Sequence, residues 1–141
     1  MPIIAALFIA LLTIGGIKYA RAENQPWAYP LTLALYPLFY LGFAYMAEDS
    51  AALKNELLFA LPIFLICLIS ARKNIRYSAF LLAAGYIGHG VYDIAHPLLF
   101  SNPGTPLWWP EFCGTIDVII GAYLIALAKR LPQHAISATN A

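Results

Sequence analysis

The stretch GYIGHGVYDIAHP, from Gly85 to Pro97, places two histidines and an aspartate inside an apolar run long enough to span a bilayer. Positions four and seven residues apart share one face of an α-helix, so His89, Asp93 and His96 project in the same direction. Ionisable side chains at membrane depth are costly, which makes such a face a functional-site hypothesis. The stretch predicts a membrane helix with one polar face.

The composition of the whole chain is that of a membrane protein. Of its 141 residues, 62% are hydrophobic and 11% are charged, whereas about 25% are charged in soluble domains. The length predicts a single membrane domain over residues 1–141. A net charge of +1 without a basic cluster argues against a nucleic-acid partner. The two cysteines, Cys67 and Cys113, lack zinc-finger spacing.

Polar breaks divide the sequence into five apolar segments. The predicted fold is an all-α integral membrane bundle of five transmembrane helices, over residues 2–17, 27–46, 51–71, 77–100 and 109–130. The first segment has no positive charge before it, so we expect a retained helix rather than a signal peptide. Pro110 suits the first turn of the last helix, and Glu48-Asp49-Ser50 offers an N-cap to the third.

The basic residues predict the orientation of the bundle. The loops that follow the first, third and fifth helices hold all the Lys and Arg residues except Lys54. They are Lys18, Arg21, Arg72, Lys73, Arg76, Lys129 and Arg130. Because basic loops stay in the cytoplasm, the N-terminus is predicted outside and the C-terminus inside. We therefore expect a multipass protein of the bacterial inner (cytoplasmic) membrane.

The fourth and fifth predicted helices are joined by a short loop and should be antiparallel neighbours. A rise of about 1.5 Å per residue places Asp93 and Asp117 at similar depths, about 10 to 12 Å below this loop. Gly114 and Gly121 share a face with Asp117 and would let the fourth helix pack closely. The two helices are thus expected to bring their polar groups together in the outer half of the bilayer.

These polar groups are candidates for metal binding or acid–base chemistry. His89, Asp93, His96 and Asp117 could hold a divalent metal ion, since imidazole and carboxylate suit zinc, iron, manganese or copper. In an enzyme, Asp93, Asp117 and Glu111 would be the catalytic groups, with Glu111 as an acid at the entrance. The alternative is a hydrogen-bonded network that only joins the helices.

Other polar residues have two interpretations each. Glu48, Asp49 and Glu56 could extend the ligand set, but capping and surface solvation are favoured. Cys113 lies one turn from Asp117, as either a soft metal ligand or a small buried residue. An aromatic stripe on the second helix could line a cavity for an apolar ligand, although contact with lipid or packing in the core is favoured for Tyr29, Tyr36, Tyr40 and Phe43.

Three functions stay open at this point. The first is an intramembrane site that binds a metal or acts as an acid–base enzyme on an apolar small molecule. The second is a proton- or cation-coupled transporter, against which the apolar inner halves of the fourth and fifth helices argue. The third is a non-catalytic subunit of a membrane complex. Membrane lipids are the expected partners, and a homodimer is expected because five helices of this length enclose little interior.

Two motifs resemble a known pattern. The sequence H-G-x-Y-D-x-x-H-P from His89 to Pro97, followed by W-W-P-x-F-C-x-x-x-D from Trp108 to Asp117, resembles a family of small bacterial multipass membrane proteins of unknown function. The resemblance covers the last third of the chain. It implies a membrane protein of four to five helices with these residues as a signature, and it implies no activity, cofactor or substrate.

Overall fold

The structure is a computed structural model that describes residues 1–23, 25–71 and 75–131. Within them the chain is all-α, as predicted, with five helices: α1 (Pro2–Tyr19), α2 (Ala28–Met46), α3 (Ser50–Ser70), α4 (Ile75–Leu99) and α5 (Trp109–Arg130). Two of the basic residues used to predict the orientation, Arg72 and Lys73, lie outside the described residues, as does the tail beyond residue 131.

Three of these helices are long and apolar enough to cross a membrane. They are Pro2–Tyr19, Ser50–Ser70 and Trp109–Arg130. Large apolar side chains also cover much of the outer surface: Ile94 is 68% exposed and Leu11 is 64% exposed. Such an apolar surface would be poorly solvated by water but well solvated by lipid tails.

Local sequence signals account for the helix ends. Asp49 is the N-cap of α3, as predicted, because its Oδ1 accepts from the backbone N–H groups of Ala51 and Ala52 at 3.0 and 2.9 Å. Glu48, with a φ of 55°, turns the chain between α2 and α3. Pro110 lies in the first turn of α5, where its missing N–H costs no helical hydrogen bond.

The closest helix pair is α4 with α5, and glycines make this approach possible. A Cβ atom on Gly90 would lie 3.2 Å from the backbone oxygen of Gly114, and one on Gly114 would lie 3.2 Å from that of Gly90. A Cβ on Gly121 would lie 2.7 Å from Cγ1 of Ile87. The predicted packing of the fourth helix on these glycines is therefore confirmed. Helix α1 also packs on α5, while α3 packs on α2 and α4.

The bundle has two chemically different ends. We call the end where α1 and α5 finish the basic end; Lys18, Arg76 and Arg130 lie there, beside Glu23. We call the opposite end the acidic end, which carries Glu48, Asp49 and Glu111. Between the two ends the interior is filled by apolar side chains and tyrosines, among them Leu33, Tyr40, Tyr86, Ile120 and Leu124.

Candidate functional site

Four buried side chains converge between α4 and α5. His89 and Asp93 come from α4, Cys113 and Asp117 from α5, and each is at most 2% exposed. One possible ligand atom from each residue lies within 4.8 Å of all the others. Because the members of each pair are one helical turn apart, they share a face. We call this group the His/Asp/Cys cluster.

His89 is oriented by the carboxylate on the facing helix. Its Nδ1 lies 2.7 Å from Oδ2 of Asp117 and 3.5 Å from Oδ2 of Asp93. A carboxylate accepts hydrogen bonds, so this contact assigns a ring proton to Nδ1. An ion held by all four residues would take the place of this proton, because Nδ1 is the ring nitrogen that faces both aspartates.

Most polar atoms of the His/Asp/Cys cluster lack partners. Within the described residues, no hydrogen bond reaches Nε2 of His89, Oδ1 of Asp93 or Oδ1 of Asp117, and Oδ2 of Asp93 has the 3.5 Å contact with His89 Nδ1 but no hydrogen bond. Leaving a buried polar atom unpaired costs about 1 to 3 kcal/mol, and more when it is charged. The free lone pairs are therefore expected to face a further group.

Aromatic rings cover the side of the cluster that faces α2. The ring centroids of Tyr36, Tyr40 and Tyr92 lie 6.2, 6.3 and 5.8 Å from that of His89. Tyr40 is completely buried, and Tyr29, one end of the same stripe, is 3% exposed. The stripe on α2 therefore packs into the core, which is one of the two placements that the sequence favoured.

A second buried cluster lies closer to the acidic end and is centred on Glu56. This carboxylate is 2% exposed. Its Oε1 accepts from His96 Nε2 at 2.8 Å and from Asn102 Nδ2 at 2.7 Å, and its Oε2 accepts from the Tyr92 hydroxyl at 2.6 Å. Asn102 Nδ2 also donates to the backbone oxygen of Tyr40 at 3.1 Å. This Glu56 network joins α2, α3, α4 and the loop before α5.

The structure divides the four metal ligands expected from the sequence. His89, Asp93 and Asp117 lie together with Cys113, whereas His96 lies in the Glu56 network. Seven residues of helix put His96 about 10 Å along the axis from His89, too far for both rings to reach one ion directly. Whether any of these residues binds a metal stays a prediction.

Glu56 and Asn102 are the residues that sequence reasoning missed. The interpretation of Glu56 as a capping or surface residue is wrong, because its side chain is buried and fully hydrogen-bonded. Its position within an apolar helix, seven residues after the cap, was the available signal. Asn102 gave none, since asparagine is ordinary in a loop.

Glu111 lies apart from both clusters. It is exposed in the first turn of α5 and lines an open groove of about 440 Å³ with Ile3, Ile94 and Gly114. Its catalytic role stays a prediction, as do those of Asp93 and Asp117. Cys67 and Cys113 are both free and buried.

No protein-family model, curated protein or solved structure matches the chain. The resemblance of the two motifs to a family of small membrane proteins stays a prediction.

Proposed function

We propose that this protein is a multipass membrane protein that holds one divalent transition-metal ion between α4 and α5. The ligands are His89, Asp93, Cys113 and Asp117. One observation carries the proposal: four ligand-type side chains converge within 4.8 Å while most of their buried polar atoms lack hydrogen-bond partners. A hydrogen-bonded network that served only to join helices would be expected to use those atoms.

The ligand types favour zinc. Thiolate, imidazole and carboxylate are the three ligand classes that zinc takes, commonly four at a time in tetrahedral sites. Iron, manganese and copper also bind subsets of these groups and are tested beside zinc. Charge supports a divalent ion as well, because Asp93 and Asp117 are both 0% exposed and buried carboxylates need a compensating charge.

Four protein ligands and complete burial are typical of a structural metal site. We therefore propose that the ion first fixes α4 against α5. A second candidate, an acid–base enzyme for an apolar small molecule, is favoured by the groove beside Glu111. This groove reaches Gly114, and a Cβ atom on Gly114 would lie 3.7 Å from Oδ2 of Asp93. A molecule in the groove would be separated from that carboxylate by little more than backbone.

For the membrane itself, we propose five crossings of a bacterial inner membrane with the N-terminus outside. The exposed apolar side chains and the gathering of Lys18, Arg76 and Arg130 at one end support this orientation. It puts the basic end in the cytoplasm and the His/Asp/Cys cluster in the outer half of the bilayer. Membrane lipids then contact the outer faces of the helices, and a homodimer is the proposed assembly.

The test is metal content, measured by mass spectrometry on the full chain purified in detergent. The wild type is compared with Asp117→Asn, which keeps the shape of the side chain, and with Cys113→Ser. Cys67→Ser is the matched control, since it makes the same change at the other buried cysteine. We expect a near-stoichiometric metal in the wild type and in Cys67→Ser, and a large loss in the other two variants.

Folding is checked in each variant by helical circular dichroism and by gel filtration. Folded wild-type protein that binds none of zinc, iron, manganese or copper after reconstitution would overturn the proposal. Equal metal in the wild type and Asp117→Asn would also overturn it, because an adventitious surface ion would not depend on a buried carboxylate.

A further inference from the structure

A cavity lies at the basic end of the bundle, at the opposite end from the Glu56 network. Its volume is about 130 Å³, and all of α2, α3, α4 and α5 contribute to its wall. The lining includes Tyr29, Ser70, Ser78, Leu82 and Leu124. The cavity is therefore mostly apolar, with a few hydroxyl groups supplied by three different helices.

Two of these hydroxyls are buried without partners. Within the described residues, Oγ of Ser70 makes no hydrogen bond, and the Tyr29 hydroxyl has the Tyr123 hydroxyl beside it but not in hydrogen-bonding geometry. The two residues are 3% and 1% exposed. Ser78 differs, because its Oγ donates to the backbone oxygen of Ser70 at 2.6 Å. Buried polar groups in proteins are nearly always paired, so the unpaired hydroxyls indicate a missing partner inside the cavity.

The charged side chains near the cavity have partners of their own. Glu23 accepts a hydrogen bond from the Tyr123 hydroxyl, and Lys18 Nζ lies 5.6 Å from the centroid of the Tyr123 ring. Arg76 donates to the backbone oxygen of Leu131, which also lines the cavity. An anionic ligand would meet Glu23 in the lining, and the lining offers a cation nothing beyond that carboxylate, which already accepts from Tyr123, so a neutral ligand fits best.

The size of the cavity sets the size of the ligand. An apolar protein cavity of about 150 Å³ accepts one benzene ring. At about 130 Å³, the cavity at the basic end has room for a single six-membered ring. Leucine side chains suit the faces of such a ring, and the hydroxyls of Tyr29 and Ser70 suit an oxygen atom on its edge.

We infer that the cavity at the basic end binds a neutral, single-ring molecule whose hydroxyl or carbonyl oxygen pairs with Tyr29 and Ser70. This binding site is separate from the His/Asp/Cys cluster, and the inference does not depend on a bound metal. Its occupant reaches the cavity at the end of the bundle where Gln25 and Pro26 lie.

The probe for this site is 4-fluorophenol, followed by fluorine NMR with the full chain in detergent micelles. Protein-free micelles give the baseline for partition into detergent. We expect a saturable change in the fluorine signal with the wild type. Tyr29→Phe and Ser70→Ala should each weaken binding about 2- to 10-fold, the effect of one lost hydrogen bond. Ala79→Leu should abolish binding by filling the cavity.

Tyr45→Phe is the matched control for Tyr29→Phe, since Tyr45 lies on the same helix but is 75% exposed. It should bind the probe like the wild type. Identical signals in all variants would mean partition into micelles and would overturn the inference. An absence of saturable binding to folded wild type would overturn it as well, and would leave a cavity that holds water. If Ala79→Leu does not fold, the two hydroxyl variants decide, because each keeps the size of its side chain nearly unchanged.

Discussion

His89 Nδ1 lies 2.7 Å from Oδ2 of Asp117 on the facing helix, while Nε2 of the same ring has no hydrogen-bond partner among the described residues. His96, two turns further along α4, uses its Nε2 to donate to buried Glu56. The two histidines of α4 thus differ at Nε2, which is hydrogen-bonded in His96 and lacks a hydrogen bond in His89. The Glu56 network is complete and joins helices, whereas the His/Asp/Cys cluster leaves oxygens of both aspartates without hydrogen bonds among the described residues.

The thiol of Cys113 provides a spectroscopic test of the metal site. Cobalt(II) is expected to replace zinc at a site with these ligands, and a thiolate ligand adds an intense charge-transfer absorption in the near ultraviolet. We expect this band in wild-type protein reconstituted with cobalt and its disappearance in Cys113→Ser. Cys67→Ser should keep the band. A band that survives in Cys113→Ser would exclude that sulfur as a ligand.

The close approach of α4 to α5 predicts a strong effect at Gly114. A Cβ atom there would lie 3.2 Å from the backbone oxygen of Gly90 and 3.3 Å from Cβ of Asp93, so Gly114→Ala should push the two helices apart. We expect a loss of about 1 to 3 kcal/mol in stability, typical of overpacking, together with weaker metal binding. Thermal unfolding followed by circular dichroism, with parallel metal titration, measures both effects.

Gly88→Ala is the control for this helix contact. A Cβ atom on Gly88 would meet nothing within 4 Å, and alanine favours helix by about 1 kcal/mol over glycine. Its stability should therefore equal or exceed that of the wild type. If the two alanine variants unfold at the same temperature and bind metal equally, the helices are not held as closely as their glycines indicate.

Periodicity and composition were sufficient to predict the helices and the meeting of α4 with α5. Helical spacing alone placed His89 and Asp93 on one face and matched the depth of Asp117 to that of Asp93, and the glycines of α5 identified the contact. Those inferences use only rise per residue and side-chain direction, which are nearly the same in every α-helix.

The rotation of one helix about its axis against its neighbours could not be obtained in this way. Whether His96 faces α5 or α3 depends on how α3 packs against α4, and this decided that His96 pairs with Glu56. Asn102 reaches Glu56 from a loop, whose path no periodic pattern encodes. The hydrogen bond between Asn102 and Glu56 could therefore be found only from the structure.

The Glu56 network predicts a large loss of stability when its carboxylate is removed. Glu56→Ala leaves half-buried Tyr92 and buried His96 without this acceptor, and it leaves Asn102 Nδ2 with the Tyr40 backbone oxygen alone. Breaking a buried pair of this kind costs about 3 to 5 kcal/mol. Denaturant unfolding in detergent measures the change. Glu111→Ala is the control, because Glu111 is exposed and should change stability by less than about 0.5 kcal/mol. Similar unfolding midpoints for the two variants would contradict a stabilising role for the network.

Gly104 predicts how tightly the loop before α5 packs on the end of α2. A Cβ atom on Gly104 would lie 2.1 Å from the backbone oxygen of Phe43 and 2.7 Å from its carbonyl carbon. Backbone atoms cannot turn aside, so Gly104→Ala must displace the loop and should cost about 1 to 3 kcal/mol by thermal unfolding. Gly42→Ala, next to Phe43 but with nothing within 4 Å of the added Cβ, should cost nothing. Equal unfolding temperatures for Gly104→Ala and the wild type would mean that the loop does not rest on Phe43.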